Sequence, residues 1–171
     1  MTIEKFKIEV LPIKNKLYRL AKRFLVSKEE AEDTVQDVLL RLWSKKDNLE
    51  QINSIEGFAM VITKNLCLDK LKSKRRNTEE FSDTALNVIH KTPYNQTEMA
   101  DSIDRINEII NKLPDQQKII IHLRDVEGYE FEEIAEVTGL TINTIRVNLS
   151  RARKKVRETV LKAESYEFSR N

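Results

Sequence analysis

The chain has 171 residues and contains few of the residue types that build small-molecule or metal sites. Its three glycines stand far apart, so they cannot form a glycine-rich phosphate-binding loop. Its single cysteine, Cys67, has no partner for an internal disulfide, and its two histidines, His90 and His122, are not at metal-ligand spacing. We therefore expect no disulfide, no metal, no cofactor and no small-molecule ligand.

Long apolar runs are absent as well. No run approaches the ~20 residues that a membrane-spanning helix needs, and the N-terminal sequence MTIEKFKIEV has no apolar core of signal-peptide length. These features predict a cytoplasmic chain with no membrane insertion.

Helix breakers are rare, with three glycines and three prolines in a chain rich in Leu, Ile, Glu and Lys. Hydrophobic residues make up 40% of the chain and charged residues 34%, which fits small globular domains with heavily solvated surfaces. The composition predicts an all-α fold with two small helical domains joined by a flexible linker.

The first 76 residues show the apolar period of three helices. The first extends from Glu4 to Phe24, where Pro12 can shift its start or kink it. Ser27, with Glu three residues later, is a capping box that starts the second helix. A loop follows over residues 45–54, and a third helix extends from Ile55 to about Lys72. The apolar face of this third helix is predicted to be Phe58, Val61, Ile62, Leu66, Leu68 and Leu71.

The second helix combines a buried stripe with an exposed apolar residue. The stripe is Ala31, Val35, Val38 and Leu42. The opposite face carries acidic and amide side chains together with Leu40, and Trp43 lies at its flank. A leucine among acids indicates a surface for a partner, although single exposed leucines are also normal on monomeric proteins.

The period is lost over residues 77–98, which carry a net negative charge and predict a linker. A linker of this length leaves open whether the two domains pack together. A further helix follows, with Ile103, Ile106, Ile109, Ile110 and Leu113 on its apolar face. Pro114 is predicted as the first residue of the next helix. The buried stripe of that helix is predicted to be Ile119, Ile120, Leu123 and Val126, with His122 partly buried beside it.

Residues 131–157 have the pattern of a helix-turn-helix. Gly139 can take the positive φ of a tight turn, and Thr141 can cap the second helix. Between Thr141 and Arg157 the chain has six basic residues and no acidic one, as expected of a helix that lies against phosphates. The basic charge alone would also fit a helix face that is simply solvated. Because the turn, the cap and the apolar stripe occur together with this charge, DNA binding is favoured.

Three runs together resemble one family. These are AEDTVQDVLLRLW (31–43), GFAMVITKNLCLDKLKSKRR (57–76) and the run from Leu113 to Arg157. They are similar to the two-domain bacterial sigma factors of the extracytoplasmic-function (ECF) type. The resemblance implies that residues 1–76 are region 2, residues 77–98 the linker and residues 99–171 region 4, and that the chain is not an enzyme. It implies core RNA polymerase (the beta-prime clamp helices and the beta flap), promoter DNA and an anti-sigma factor as partners.

The resemblance also assigns roles by position. The polymerase-docking residues would be Asp33, Gln36, Asp37, Leu40 and Trp43. The residues near the −10 element would be Gln51, Asn53, Asn65, Asp69, Lys72, Arg75 and Arg76. The residues near the −35 element would be Thr141, Asn143, Thr144, Arg146, Val147, Ser150, Arg151 and Lys154. One departure is Glu130, which stands where the family usually has a Ser or Thr cap and predicts a less secure helix start.

Two other functions are compatible with parts of the pattern. A stand-alone helix-turn-helix regulator would use residues 1–76 for dimerisation or sensing and would bind duplex DNA as a homodimer without polymerase. A nucleic-acid enzyme is disfavoured because no carboxylate cluster accompanies a metal-ligand histidine or a positioned nucleophile.

Overall fold

In the computed structural model the described residues are 1–25, 27–80 and 98–168, without the side chains of residues 75, 77–80, 98–102 and 163–168. All regular structure in these ranges is helical, which confirms the all-α prediction. The first domain contains α1 (Ile3–Val10), α2 (Lys14–Phe24), α3 (Lys28–Ser44), α4 (Lys46–Leu49) and α5 (Ile55–Glu80). The second contains α6 (Glu98–Asn111), α7 (Asp115–Ile121), α8 (Phe131–Thr138) and α9 (Ile142–Phe168).

The first domain begins as its sequence predicts. Pro12 lies in a 3₁₀ turn, Leu11–Ile13, that separates α1 from α2, because proline lacks the N–H that a continuous helix requires. The Ser27 hydroxyl accepts a hydrogen bond from the Glu30 N–H at 3.2 Å and caps α3. All four residues of the predicted α3 stripe are buried, which confirms that stripe.

Two predictions in this domain are corrected. Residues 45–54 are not entirely a loop, since they contain the single turn α4, whose Leu49 is fully buried. The third helix does not end near Lys72 but continues to Glu80. Residues 81–97, most of the predicted linker, and His90 with them, lie outside the described residues.

The apolar face of α5 also differs from its prediction. The side chains that reach the core are Ala59, Met60, Thr63 and Cys67, whereas the six predicted residues are only partly buried around them. The reason is that α5 packs against α2, α3 and α8, so no single stripe faces one core. The Thr63 hydroxyl is satisfied by donating to the Ala59 carbonyl at 2.8 Å.

In the second domain, α7 runs into a π-helical segment, His122–Val126, closed by a hydrogen bond from the Glu127 N–H to the His122 carbonyl at 3.1 Å. A π turn holds an extra residue and so shifts the following side chains round the axis by roughly 100°. Val126 is consequently 47% exposed and not part of the buried stripe as predicted. Pro114 is the cap before α7 and not its first residue, since its ψ is 144°. His122 is 1% exposed, deeper than predicted.

The helix-turn-helix consists of α8, a turn at Gly139 and α9. Gly139 has φ +72°, and the Thr141 hydroxyl accepts the Thr144 N–H at 3.3 Å, as the sequence predicts. The expectation of an insecure start for α8 is wrong. Glu130 and Glu133 form a reciprocal capping box in which the Glu133 carboxylate accepts the Glu130 N–H at 2.8 Å.

The two domains pack directly against each other. Helix α5 contacts α8, and α2 contacts α7. Arg19 on α2 donates from Nε and Nη2 to the two carboxylate oxygens of Glu127, both at 2.7 Å. The Lys64 ammonium on α5 donates to the Val137 carbonyl at the end of α8 at 3.1 Å. The structure thus answers the question that the linker length leaves open.

Candidate nucleic-acid and protein interfaces

Helix α3 presents the first candidate surface. Asp33, Gln36, Asp37 and Leu40 are all exposed, and Leu40 is 66% exposed. The buried stripe on the other side of α3 anchors this face, so its side chains project from a rigid support. An exposed leucine framed by two carboxylates can contribute apolar contact at its centre and charge complementarity at its edge.

Trp43, at the flank of this surface, is held by neighbouring side chains. Its ring meets that of Phe6 edge to face, with centroids 5.1 Å apart. The Lys46 ammonium lies 4.5 Å from the Trp43 ring centroid, within the range of a cation–π interaction. The Trp43 side chain is therefore partly buried and packs against the core at the edge of the α3 surface.

Helix α5 carries an exposed polar ridge. Asn65, Asp69, Lys72 and Arg76 are exposed and follow one another at spacings of four, three and four residues, which places them on one face. The side chain of Arg75 lies outside the described residues. Gln51 and Asn53 are exposed in the segment just before α5. Amide groups here can bond base edges, and the cations can follow phosphates.

The third surface is the N-terminal half of α9. Of the eight residues predicted there, Thr144 is half-buried and seven are exposed. These seven are Thr141, Asn143, Arg146, Val147, Ser150, Arg151 and Lys154. A groove of about 430 Å³ borders this face between Phe131 and the side chains of α9. It is lined by Arg153 and Arg157 in addition to predicted residues.

The cations along α9 are not equivalent. Arg153 is committed to Asp125, with Nε 3.0 Å from Oδ2, and this hydrogen bond raises the pKa of Arg153. Lys154 has a weak ion pair with Glu158 at 3.8 Å. Arg146 and Arg151 have no carboxylate partner in the described part of the chain, so their charge remains available to an anionic ligand. Sequence reasoning could not make this distinction because Asp125 lies on another element.

A buried charged cluster between the domains was not predicted from the sequence. The Glu127 side chain is 1% exposed, and His122 Nε2 lies 3.5 Å from its Oε1. Burial alone would raise the pKa of Glu127, but hydrogen bonds and charge from Arg19 and His122 outweigh it and lower this pKa to about 2. Burial lowers the pKa of His122, an effect that Glu127 opposes and Arg23 reinforces.

A second polar junction joins the domains beside this cluster. Glu56 at the start of α5 accepts hydrogen bonds from the Tyr129 hydroxyl and from the Lys16 ammonium, the latter at 2.7 Å. Burial, followed by the hydrogen bond to Glu56, raises the pKa of Tyr129. Glu56 and Tyr129 are 73 residues apart, so the local sequence around either residue gives no sign of their hydrogen bond.

Both domains match known family models. The model of Sigma-70 region 2 matches residues 11–77, and that of Sigma-70, region 4 matches residues 103–156. The chain belongs to the sigma-70 family. This sigma factor carries α3 and most of α5 in region 2, and α7, α8 and half of α9 in region 4.

Several named relatives are similar over both regions. The sigma factor is 28% identical to the ECF RNA polymerase sigma factor SigE of Mycolicibacterium smegmatis over 88% of its own length and 60% of the relative's. It is 28% identical to the RNA polymerase sigma factor SigV of Bacillus subtilis over 88% of both chains. It is thus an ECF-type sigma factor, a class of transcription initiation factor.

Solved structures show the same fold. The sigma factor RpoE from Bartonella quintana, crystallised with the anti-sigma factor NepR, is 26% identical, with a TM-score of 0.75 over 92% of this chain and 98% of that one. CnrH, in complex with the cytosolic domain of CnrY, is 20% identical with a TM-score of 0.66. In the described part of the present sigma factor, no helix is both long and apolar enough to cross a bilayer.

Proposed function

We propose that this sigma factor binds core RNA polymerase through the α3 surface, reads a promoter −10 element with α5 and the segment before it, and reads a −35 element with α9. The observation that carries the proposal is that the described side chains of these three sets, apart from the half-buried Trp43 and Thr144, are exposed on or beside helices that are packed from the other side. Packed helices hold such side chains in place, which lowers the entropy lost on binding.

The polymerase contact centres on Leu40. Its 66% exposure leaves apolar surface whose burial in an interface would contribute up to about 1.5–3 kcal/mol. Asp33 and Asp37 beside it fit a basic partner surface, and Trp43 offers a large apolar edge. The expected partner is the pair of beta-prime clamp helices, and the second domain would contact the beta flap.

The −10 contact combines bases and backbone. Gln51 and Asn53, exposed before α5, can bond the edge of a flipped base. Along α5, the Asn65 amide can donate or accept hydrogen bonds and the Asp69 carboxylate can accept them, while Lys72 and Arg76 follow the strand's phosphates. Arg75 belongs to this set by its position in the family resemblance, next to Arg76 in the sequence.

The −35 contact uses the start of α9. Arg146 and Arg151, which lack carboxylate partners among the described residues, supply charge for phosphates or guanine edges. Val147 and Ser150 are small and suit a thymine methyl group or readout of groove shape. Thr141, Asn143 and Thr144 surround the helix N-terminus, and Lys154 extends the basic face. The role of Thr141, Asn143 and Thr144 is the phosphate contact that a helix N-terminus favours.

The packed domains must separate on a promoter. Positions −10 and −35 are 25 base pairs apart, or roughly 85 Å along B-form DNA. Here Lys64 of α5 touches Val137, and four residues of chain from Val137 to Thr141 span at most about 15 Å. The described arrangement therefore brings the two DNA-reading helices far closer than the two elements lie. An anti-sigma factor that favours this closed form is the expected regulator. The similar sigma factor RpoE was crystallised in complex with an anti-sigma factor, NepR.

Run-off transcription tests the proposal. Purified core RNA polymerase from the source organism would be incubated with promoter fragments, with and without the protein. We expect transcripts from defined start sites only when it is added. Leu40→Ala should weaken core binding about tenfold, whereas Ile8→Ala, another exposed apolar residue of the same domain, should not. Duplex binding by a homodimer, without polymerase association, would instead favour the stand-alone regulator.

A further inference from the structure

Arg146, near the start of α9, lies over an aromatic ring of α8. Phe131 is the first residue of α8, and the Arg146 guanidinium carbon lies 5.1 Å from its ring centroid. The guanidinium carbon of Arg124 lies 4.9 Å from the same centroid. Both distances are within the range of a cation–π interaction. We propose that Phe131 is a positioning residue, which holds Arg146 in the orientation that contacts −35 DNA. This inference rests on the proposed role of α9.

The two arginines at this ring have different surroundings. Arg124 is already engaged, since its Nη1 donates to the Tyr129 carbonyl at 2.6 Å and lies 2.9 Å from a Glu130 carboxylate oxygen. Arg146 is exposed and has no carboxylate partner among the described residues. Arg124 therefore serves to fix the loop before α8, and Arg146 is the cation that remains for a ligand.

Phe131 itself is well fixed. It follows directly on the Glu130–Glu133 capping box, and its side chain is half-buried at the edge of the domain core. The ring also lines the groove along α9, together with Arg146, Ser150 and Lys154. An aromatic ring fixed in this way limits the orientations of a neighbouring guanidinium without neutralising its charge. A carboxylate would orient the arginine as well but would cancel the attraction to DNA, as Asp125 does at Arg153.

The energetic consequence is modest and measurable. A cation–π interaction at an exposed site is worth about 0.5–1 kcal/mol, which corresponds to a two- to five-fold change in an equilibrium constant. If Arg146 is pre-oriented by the ring, losing the ring reduces DNA affinity by that factor. The loss should vanish once Arg146 is absent, because Phe131 acts through it.

A double-mutant cycle in the full holoenzyme tests the inference. The probe is a fluorescent duplex carrying the upstream promoter region of the strongest start site mapped by run-off transcription. Phe131→Leu should weaken binding two- to five-fold, and Phe131→Tyr, which keeps the ring face, should restore it. In an Arg146→Gln background, Phe131→Leu should have no further effect. Arg151→Gln provides the matched control, since its loss should add to that of Phe131→Leu.

The outcomes separate the inference from the function on which it rests. If Phe131→Leu weakens binding equally with and without Arg146, or if Phe131→Tyr fails to restore it, the ring acts through the fold and the inference is overturned. If Phe131→Leu has no effect while Arg146→Gln weakens binding, the inference is also overturned. If neither Arg146→Gln nor Arg151→Gln alters binding, the proposed role of α9 is itself wrong.

Discussion

Replacing Glu127 by Gln should loosen the contact between the two domains. The Glu127 side chain is 1% exposed, and its carboxylate accepts hydrogen bonds from Nε and Nη2 of Arg19, both at 2.7 Å. The pKa of Glu127 is lowered from the ordinary 4.5 to about 2. At neutral pH this shift corresponds to a contribution of at most about 3 kcal/mol to the free energy of unfolding. Arg19 is 47% exposed, so solvent screens part of this energy, and we expect a loss of about 2 kcal/mol.

Urea unfolding at pH 7 measures this loss. With a slope of about 2 kcal/mol per molar urea, a loss of about 2 kcal/mol lowers the midpoint by roughly 1 M. Arg19→Gln should cost more than Glu127→Gln, because it takes the arginine partner from a buried carboxylate, whereas a half-exposed Arg19 can be solvated. Glu50→Gln, which removes the exposed pair with Lys5, is the matched control and should leave the midpoint unchanged within error.

Two results would refute the reasoning. An unchanged midpoint in Glu127→Gln would mean that the buried pair does not stabilise the free chain in solution. A shift in Glu50→Gln as large as that in Glu127→Gln would mean that burial does not decide the value of an ion pair here.

Three further predictions follow from groups elsewhere in the molecule. The lowered pKa of His122 means that its neutral, buried form stabilises the fold above pH 6.5, and that this contribution is lost as pH falls below 6.5. The melting temperature should therefore drop between pH 7 and pH 5, and His122→Gln should remove that slope. Burial raises the pKa of the Cys67 thiol to about 12. A thiol reagent should therefore label the native protein slowly and the urea-unfolded protein rapidly, and equal labelling rates would contradict the structure. If Arg151 contacts a DNA phosphate, Arg151→Gln should reduce the slope of log DNA affinity against log salt concentration by about 0.9. An unchanged slope would mean that Arg151 does not contact the DNA backbone.

The helix caps and the buried stripe of α3 follow from local sequence, whereas Ile103 and Ile106, predicted on the apolar face of α6, are 55% and 39% exposed. Ser27 caps α3, and Gly139 turns α8 into α9, because each feature depends on groups within one or two turns. The stripe of α3 was predicted residue by residue for the same reason. The exposure of Leu40 and of the basic residues of α9 then follows from the helical period, which places them opposite the buried side of each helix.

Packing between distant segments decided the rest. Residues 46–49 form a helical turn because the core accepts the Leu49 side chain, and α5 buries Ala59, Met60, Thr63 and Cys67 because three other helices pack against it. The Arg19–Glu127 pair joins residues 108 positions apart, and Phe131 meets arginines from two other elements. Local sequence predicts what a helix does with its own neighbours within a few turns. Which charges are buried, which are neutralised and which remain for DNA depends on groups that only the tertiary fold brings together.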